Sequence, residues 1–121
     1  MKIKFKIWHK NKEVFLTPCT IDTNGNVIWY DIFNRYELNR DEYVFCSYTG
    51  FNDINDQELY YKDIFTLDDK AYVIESSFGM WGFYKDSIWT PLYKVVDKIE
   101  RNRSYLEDYS LVDYINSYEY K

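Results

Sequence analysis

Lys2-Ile3-Lys4-Phe5-Lys6-Ile7 opens the chain with strict alternation of a cation and an apolar side chain. Successive side chains of a strand point to opposite faces, so this period of two predicts a strand with Ile3, Phe5 and Ile7 inward and three lysines outward. Working outward, His9-Lys10-Asn11-Lys12 is polar enough to turn the chain into a second strand over residues 14–21. Asp22-Thr23-Asn24-Gly25-Asn26 follows. Its Asn-Gly pair tolerates positive φ at both central turn positions, the strongest hairpin signal in the sequence. Val27-Ile28-Trp29-Tyr30 reads as the return strand.

Residues 34–42 are charged and irregular, which suggests a loop with one helical turn. Residues 43–48 are apolar and β-prone, and residues 49–58 carry the Gly, Asn and Asp of turn chemistry. Two apolar runs, 64–67 and 71–74, flank Asp68-Asp69-Lys70 as a hairpin, and 81–84 and 92–99 read as the last strands. Ser104-Tyr105-Leu106-Glu107 has the spacing of a capping box, and apolar residues then recur every three or four positions, predicting a short helix over 104–118. The expected architecture is one mostly β domain with minor α. Compact antiparallel strands would form a small barrel-like, rolled sheet, with N-terminal hairpins (about 1–49), a barrel-like part (about 50–103) and the C-terminal helix.

Composition supports strands. Aromatic residues make up 21% of the 121 positions, including 14 tyrosines, and aromatic side chains fit a pleated, half-buried surface. The formal net charge is −5 and the sequence pI about 4.8, which argues against a protein that tracks phosphates. Five lysines nevertheless fall between positions 2 and 12, and Lys2, Lys4 and Lys6 offer the one face a nucleic-acid-associated regulator would use. No stretch is apolar enough for a membrane span, and no secretory leader pattern opens the chain. The reading is a cytoplasmic protein with Cys19 and Cys46 as reduced thiols.

Chemistry-bearing constellations are sparse. The single histidine, His9, lies among lysines and reads as a solvated turn residue, not a general base. A zinc set from His9, Cys19 and Cys46 has none of the short paired spacings of structural zinc sites, so neither metal nor cofactor is expected. Asp53 and Asp63 are the carboxylates that an unrecognised enzyme would use. Gly79 and Gly82, among large aromatics, suit a bulge or a close approach. The surplus of aromatic residues suggests a contact surface, since Tyr and Trp dominate interface hot spots. Tyr61, Trp81, Phe83, Tyr84, Tyr105 and Tyr109 are its candidates.

One segment carries a family resemblance. Tyr48-Thr49-Gly50-Phe51-Asn52-Asp53, then Glu58-Leu59-Tyr60 and Asp63-Ile64, resembles the Tyr-Thr-Gly-Leu-x-Asp and Glu-Ile-Tyr-Glu-Gly-Asp-Ile stretches of the YopX-like phage and prophage family. Trp8 is similar to the Trp that closes that family's opening strand. The chain departs from the family pattern at Asp56 and Lys62, where the family has Gly, and at Tyr61, where it has Glu. Losing two turn glycines implies altered backbone geometry there. The resemblance implies a mostly β phage or prophage protein and brings no catalytic residue. The motif residues Trp8, Tyr48, Thr49, Gly50, Asp53, Glu58, Tyr60 and Asp63 therefore enter without an assigned role. The expected function is non-enzymatic: binding of a host or phage protein, as an inhibitor working through an acidic, Tyr-rich surface, with homo-oligomerisation as a further use of that surface.

Overall fold

A computed structural model describes residues 4–108. Strands make up 55% of it and 3-10 turns 6%. Contacts divide the chain into two compact units, Met1–Ser47 and Tyr48–Lys121.

In the first unit, β1 (Phe5–His9) pairs antiparallel with β2 (Val14–Leu16), and β3 (Thr20–Ile21), β4 (Val27–Tyr30) and β5 (Arg35–Leu38) form a second ladder in the order β3-β4-β5. The run expected as one strand over 14–21 is broken at Thr17-Pro18, where proline removes a ladder donor. β5 lies inside the segment expected to be a loop. Its alternation is there, with Tyr36 and Leu38 turned inward, but Arg35 and Glu37 on the wet face mask it. The expected helical turn follows as a 3-10 turn, Arg40–Glu42, capped by the Asn39 side chain and by Glu42 reaching back to the Asn39 N–H. Ile7, Leu16, Val27 and Leu38 form the core of this unit, with Phe5, Cys19, Ile21, Trp29 and Tyr43 at its margin.

The period-two reading of β1 holds through Ile7 and then fails, because both faces are covered: Trp8 and His9 are each only 5% exposed. Trp8 meets Phe15 edge-on at 4.9 Å. The expectation of a solvated His9 is therefore corrected. Its ring packs on Trp29 at 5.7 Å, and its Nδ1 accepts the Lys12 N–H at 3.3 Å.

β6 (Tyr43–Asn52) runs on past the expected strand end; residues 43–47 pair with β1 and residues 48–52 with β7 (Glu58–Tyr60). The rest of the second unit is a series of tight hairpins: β8 (Asp63–Leu67), β9 (Lys70–Val73), β10 (Glu75–Ser77), β11 (Met80–Lys85) and β12 (Ile88–Pro91). Their loops Asp68-Asp69, Phe78-Gly79 and Asp86-Ser87 all have positive φ, the mirror-image turn that matches strand twist. β8 and β9 are joined by β13 (Glu100–Ser104) on the other edge of β8, giving the order β13-β8-β9; β10, β11 and β12 form their own ladder. Leu59, Phe65, Leu67, Tyr72, Ile74, Phe83, Leu92 and Ile99 make one core, while Ile64 and Val73 bury against Ala71 and Tyr105 on the opposite face of β8 and β9.

Two further expectations are corrected. Residues 92–99 are not a strand: Leu92–Lys94 form a 3-10 turn after Pro91, and of this run only Leu92 and Ile99 are fully buried. The closing strand is instead the polar Glu100–Ser104, which sits on a sheet edge where side chains face water. Ser104, the expected helix cap, is the last residue of β13. Its capping interactions exist all the same, since its Oγ accepts the Leu106 N–H and its N–H donates to Glu107 Oε1, but they close a turn. The remainder of the expected helix, including Tyr109, lies outside the described residues. No helix among those described is long and apolar enough to cross a membrane.

Candidate functional site

The residues of the middle motif converge. β6 ends at Asn52, and the chain turns on the Asp53 carboxylate: its Oδ1 accepts the N–H groups of Asn55 and Gln57, both at 2.9 Å, and its Oδ2 accepts the Arg101 N–H of β13 at 2.7 Å. Thr49 Oγ1 donates to the Leu59 carbonyl at 2.8 Å and accepts the Phe51 N–H. At the next turn, Asp63 Oδ2 accepts the Tyr60 N–H and Arg101 Nε, each at 2.8 Å, and Oδ1 accepts Arg101 Nη2 at 3.2 Å. Asp63 is 1% exposed. Burial works against the charge on Arg101, but the hydrogen bond and charge of Asp63, then Glu107 and Asp53, hold its pKa above the ordinary value. A carboxylate accepting three donors in a dry site is spent on structure: Arg101, through its guanidinium to Asp63 and its backbone N–H to Asp53, fastens the β7–β8 turn and the β6–β7 turn to β13.

Both positions that depart from the family's glycines keep the backbone a glycine would adopt. Asp56 has φ +62° and Lys62 φ +72°. The expectation of altered turn geometry is thus corrected. Asp56 is tolerated because short polar side chains enter the left-handed region most readily, and its carboxylate accepts from Asn52 Nδ2 at 2.8 Å. Lys62 is fixed from both sides: its N–H donates to the Ile74 carbonyl and its own carbonyl accepts from Tyr105. Gly50 has φ +87°. Tyr60 lies tilted against Tyr48 at 5.5 Å and donates to Glu58 Oε1; burial, then Glu58, pushes its hydroxyl up to about 12.

Of the candidate contact residues, three gather. Tyr61 and Trp81 lie 6.0 Å apart, and Lys62 Nζ sits 5.2 Å from the Tyr61 ring and 5.8 Å from that of Tyr105 while paired to Glu75 at 2.7 Å. All three rings are half-buried. Tyr84 stands apart, half-buried against Trp89 at 5.2 Å. Phe83 does not belong to a surface: it is fully buried, edge-on to Phe65 at 4.9 Å. Gly82 lets the Trp89 ring and the Thr90 carbonyl close over β11, since a Cβ there would fall 2.6 Å from that ring and 2.5 Å from that oxygen. On the lysine face, Lys4 is exposed, but Lys6 is half-buried with Nζ 5.7 Å over Phe15, and Lys2 lies outside the described residues.

The clearest exposed apolar feature was missed in the sequence. At the β4–β5 connection, Asp31 Oδ1 accepts the N–H groups of Phe33 and Asn34, both at 2.7 Å, and Oδ2 accepts the Tyr36 hydroxyl at 2.6 Å. Tyr36, then the two N–H groups, hold the Asp31 carboxyl below its usual range. This locked turn presents Ile32 and Phe33 at 91% and 88% exposure, with Tyr30 beside them. The same unit carries an apolar depression of about 390 Å³ lined by Phe5, Cys19, Thr20, Ile21 and Phe45. The signal for the tip was two large apolar residues inside an Asp-x-x-Asn turn, where solubility favours polar ones.

The solved structures supply a match for the fold. The chain is similar in fold to protein EF1440 from Enterococcus faecalis. The TM-score with that crystal structure is 0.67 at 15% identity, over 93% of this chain and 99% of the other. No protein-family model and no curated protein matches the sequence. At this identity the likeness concerns the fold, and the site rests on the residues described above.

Proposed function

We propose that this chain is a divergent YopX-like phage or prophage accessory protein, acting in the bacterial cytoplasm by binding another protein. The family part is supported by the Tyr48–Asp63 motif, whose residues form one connected structural unit, and by a fold likeness that spans nearly all of both chains. The ladders of residues 48–108 are read as that family's rolled, barrel-like sheet.

The observation that carries the binding reading is the pair Ile32 and Phe33, each about nine-tenths exposed on a turn whose backbone is already satisfied by Asp31. The turn needs Asp31 and Asn34; it has no use for two large apolar side chains. Held rigidly, they lose little conformational entropy on docking, which is how an anchor is made efficient. The half-buried group of Tyr61, Trp81 and Tyr105 offers a second, less exposed aromatic surface. The carboxylates Asp53 and Asp63, by contrast, are occupied by Arg101 and backbone donors, which weighs against the enzymatic alternative.

The test is affinity capture from host and phage-infected cells, with the folded chain and its Ile32→Ser/Phe33→Ser variant as baits. The reading expects a stable, stoichiometric partner that the variant loses. A folded wild-type bait that retains nothing counts against it.

A further inference from the structure

Of the chain's nine asparagines only Asn24 precedes a glycine. In that pair the next backbone nitrogen reaches the side-chain amide most easily, because glycine has no Cβ to obstruct the approach. We propose that Asn24 is a self-deamidation site held shut by the 22–26 turn, so that opening of this turn sets the rate at which the chain modifies itself. The inference is independent of the protein-binding reading.

The step is a transfer within the chain. The Gly25 nitrogen attacks Asn24 Cγ and forms a C–N bond. The bond from Cγ to Nδ2 breaks, and ammonia leaves with the proton that the Gly25 nitrogen gives up. Water then opens the succinimide at either carbonyl. One opening leaves aspartate at position 24; the other reroutes the backbone through the side chain and leaves isoaspartate.

Asn24 is exposed, so water and base reach its amide. The nucleophile, however, is tied up in the fold. Gly25 N–H donates to the Asp22 carbonyl at 3.1 Å, which makes 22–25 a turn with Asn24 at its third position. Neither Thr23 nor Asn24 has positive φ, so the turn is type I, with ψ near 0° at Asn24. Ring closure needs the Asn24 Cβ and the Gly25 nitrogen eclipsed about the Cα–C bond, and at that ψ they stand about 120° apart. Asn24 must swing out of the turn before it can react. Several contacts within this unit oppose the swing. Asp22 Oδ1 accepts the N–H groups of Asn24 and Asn26, both at 2.9 Å, and the Tyr43 hydroxyl donates to the Gly25 carbonyl at 2.7 Å. The Arg40 side chain lies against Gly25 where a Cβ would otherwise sit. Once formed, isoaspartate lengthens the connection that sets the register of Thr20 with Ile28 and Ile21 with Val27, so the modification records each productive opening permanently.

Peptide mapping by mass spectrometry, with isoaspartate counted by methyltransferase labelling, follows the reaction in warm, mildly alkaline buffer. In urea, Asn24 should be the first asparagine to react, and in the native chain it should react at least roughly tenfold more slowly, because only the locally opened form is competent. Asp22→Ala should speed the native reaction about fivefold, in proportion to the weakened turn. Tyr43→Phe removes one anchor and leaves the Asp22 bonds in place, so it should give a smaller acceleration. Circular dichroism checks that both variants stay folded; if Asp22→Ala does not, Tyr43→Phe decides. Equal rates in the native and unfolded chain overturn the proposal. So does a native rate indifferent to the folded variants, or another asparagine that reacts first in urea.

Discussion

Two turns of this protein have the same wiring and different fates. In 22–26, Asp22 Oδ1 accepts the N–H groups of Asn24 and Asn26, and Asp22 exchanges backbone bonds with Asn26 and Gly25. In 53–57, Asp53 does the same with Asn55, Gln57 and Asp56. The left-handed position is Gly25 in one and Asp56 in the other, with φ +82° and +62°. The difference is the second carboxylate oxygen. That of Asp53 reaches Arg101 on β13, 48 residues away, and this residue is 6% exposed; Asp22 is half-buried. Identical local chemistry closes a surface hairpin in one place and couples three segments in the other.

The sharpest way to break the coupled side is Asp63→Ala. It leaves the Arg101 guanidinium and the Tyr60 N–H without their acceptor, and losing one partner of a buried pair costs about 3–5 kcal/mol. Urea denaturation should show this, and Asp63→Leu/Arg101→Met should cost clearly less than the single change, because no charge is then stranded. Next comes the direct comparison. Asp53→Ala should destabilise by about 2–3 kcal/mol and Asp22→Ala by about 1 kcal/mol, since only the former also orphans a donor of a distant strand, the Arg101 N–H of β13. Equal effects would mean that the bond to β13 contributes nothing.

Tyr60 adds a pH arm. Its hydroxyl is raised from 10 to about 12 in the fold, so the neutral form is favoured there. Its contribution is complete below pH 10 and is lost as pH rises through about 12. Tyr60→Phe should flatten that part of the alkaline stability curve. The smallest effect expected is Asp56→Gly. Removing a Cβ from the left-handed region offsets the greater unfolded-state entropy of glycine, for a gain of about 0.5 kcal/mol.

Legibility followed the range of the interaction. Hairpins at Asn24-Gly25 and Asp68-Asp69 were visible because turn and flanking strands lie within a few residues of each other. β5 and β13 were not, because Arg35, Glu37 and most of β13 face water and hide the alternation. In the candidate site, the motif residues were recognisable, but their purpose was not, since Arg101 stands 38 residues from Asp63 and nothing in the spacing joins them.

By itself the sequence determined the β class, the tight hairpins and the presence of a turn within 49–58, all of which depend on local sterics and period-two burial. Only the tertiary structure decided that His9 and Phe83 are interior, that Asp53 and Asp63 share Arg101, and that Ile32 and Phe33 have no core to enter. Burial is a property of what arrives from elsewhere in the chain. An aromatic residue on a strand looks the same in sequence whether the space opposite it holds another ring or water.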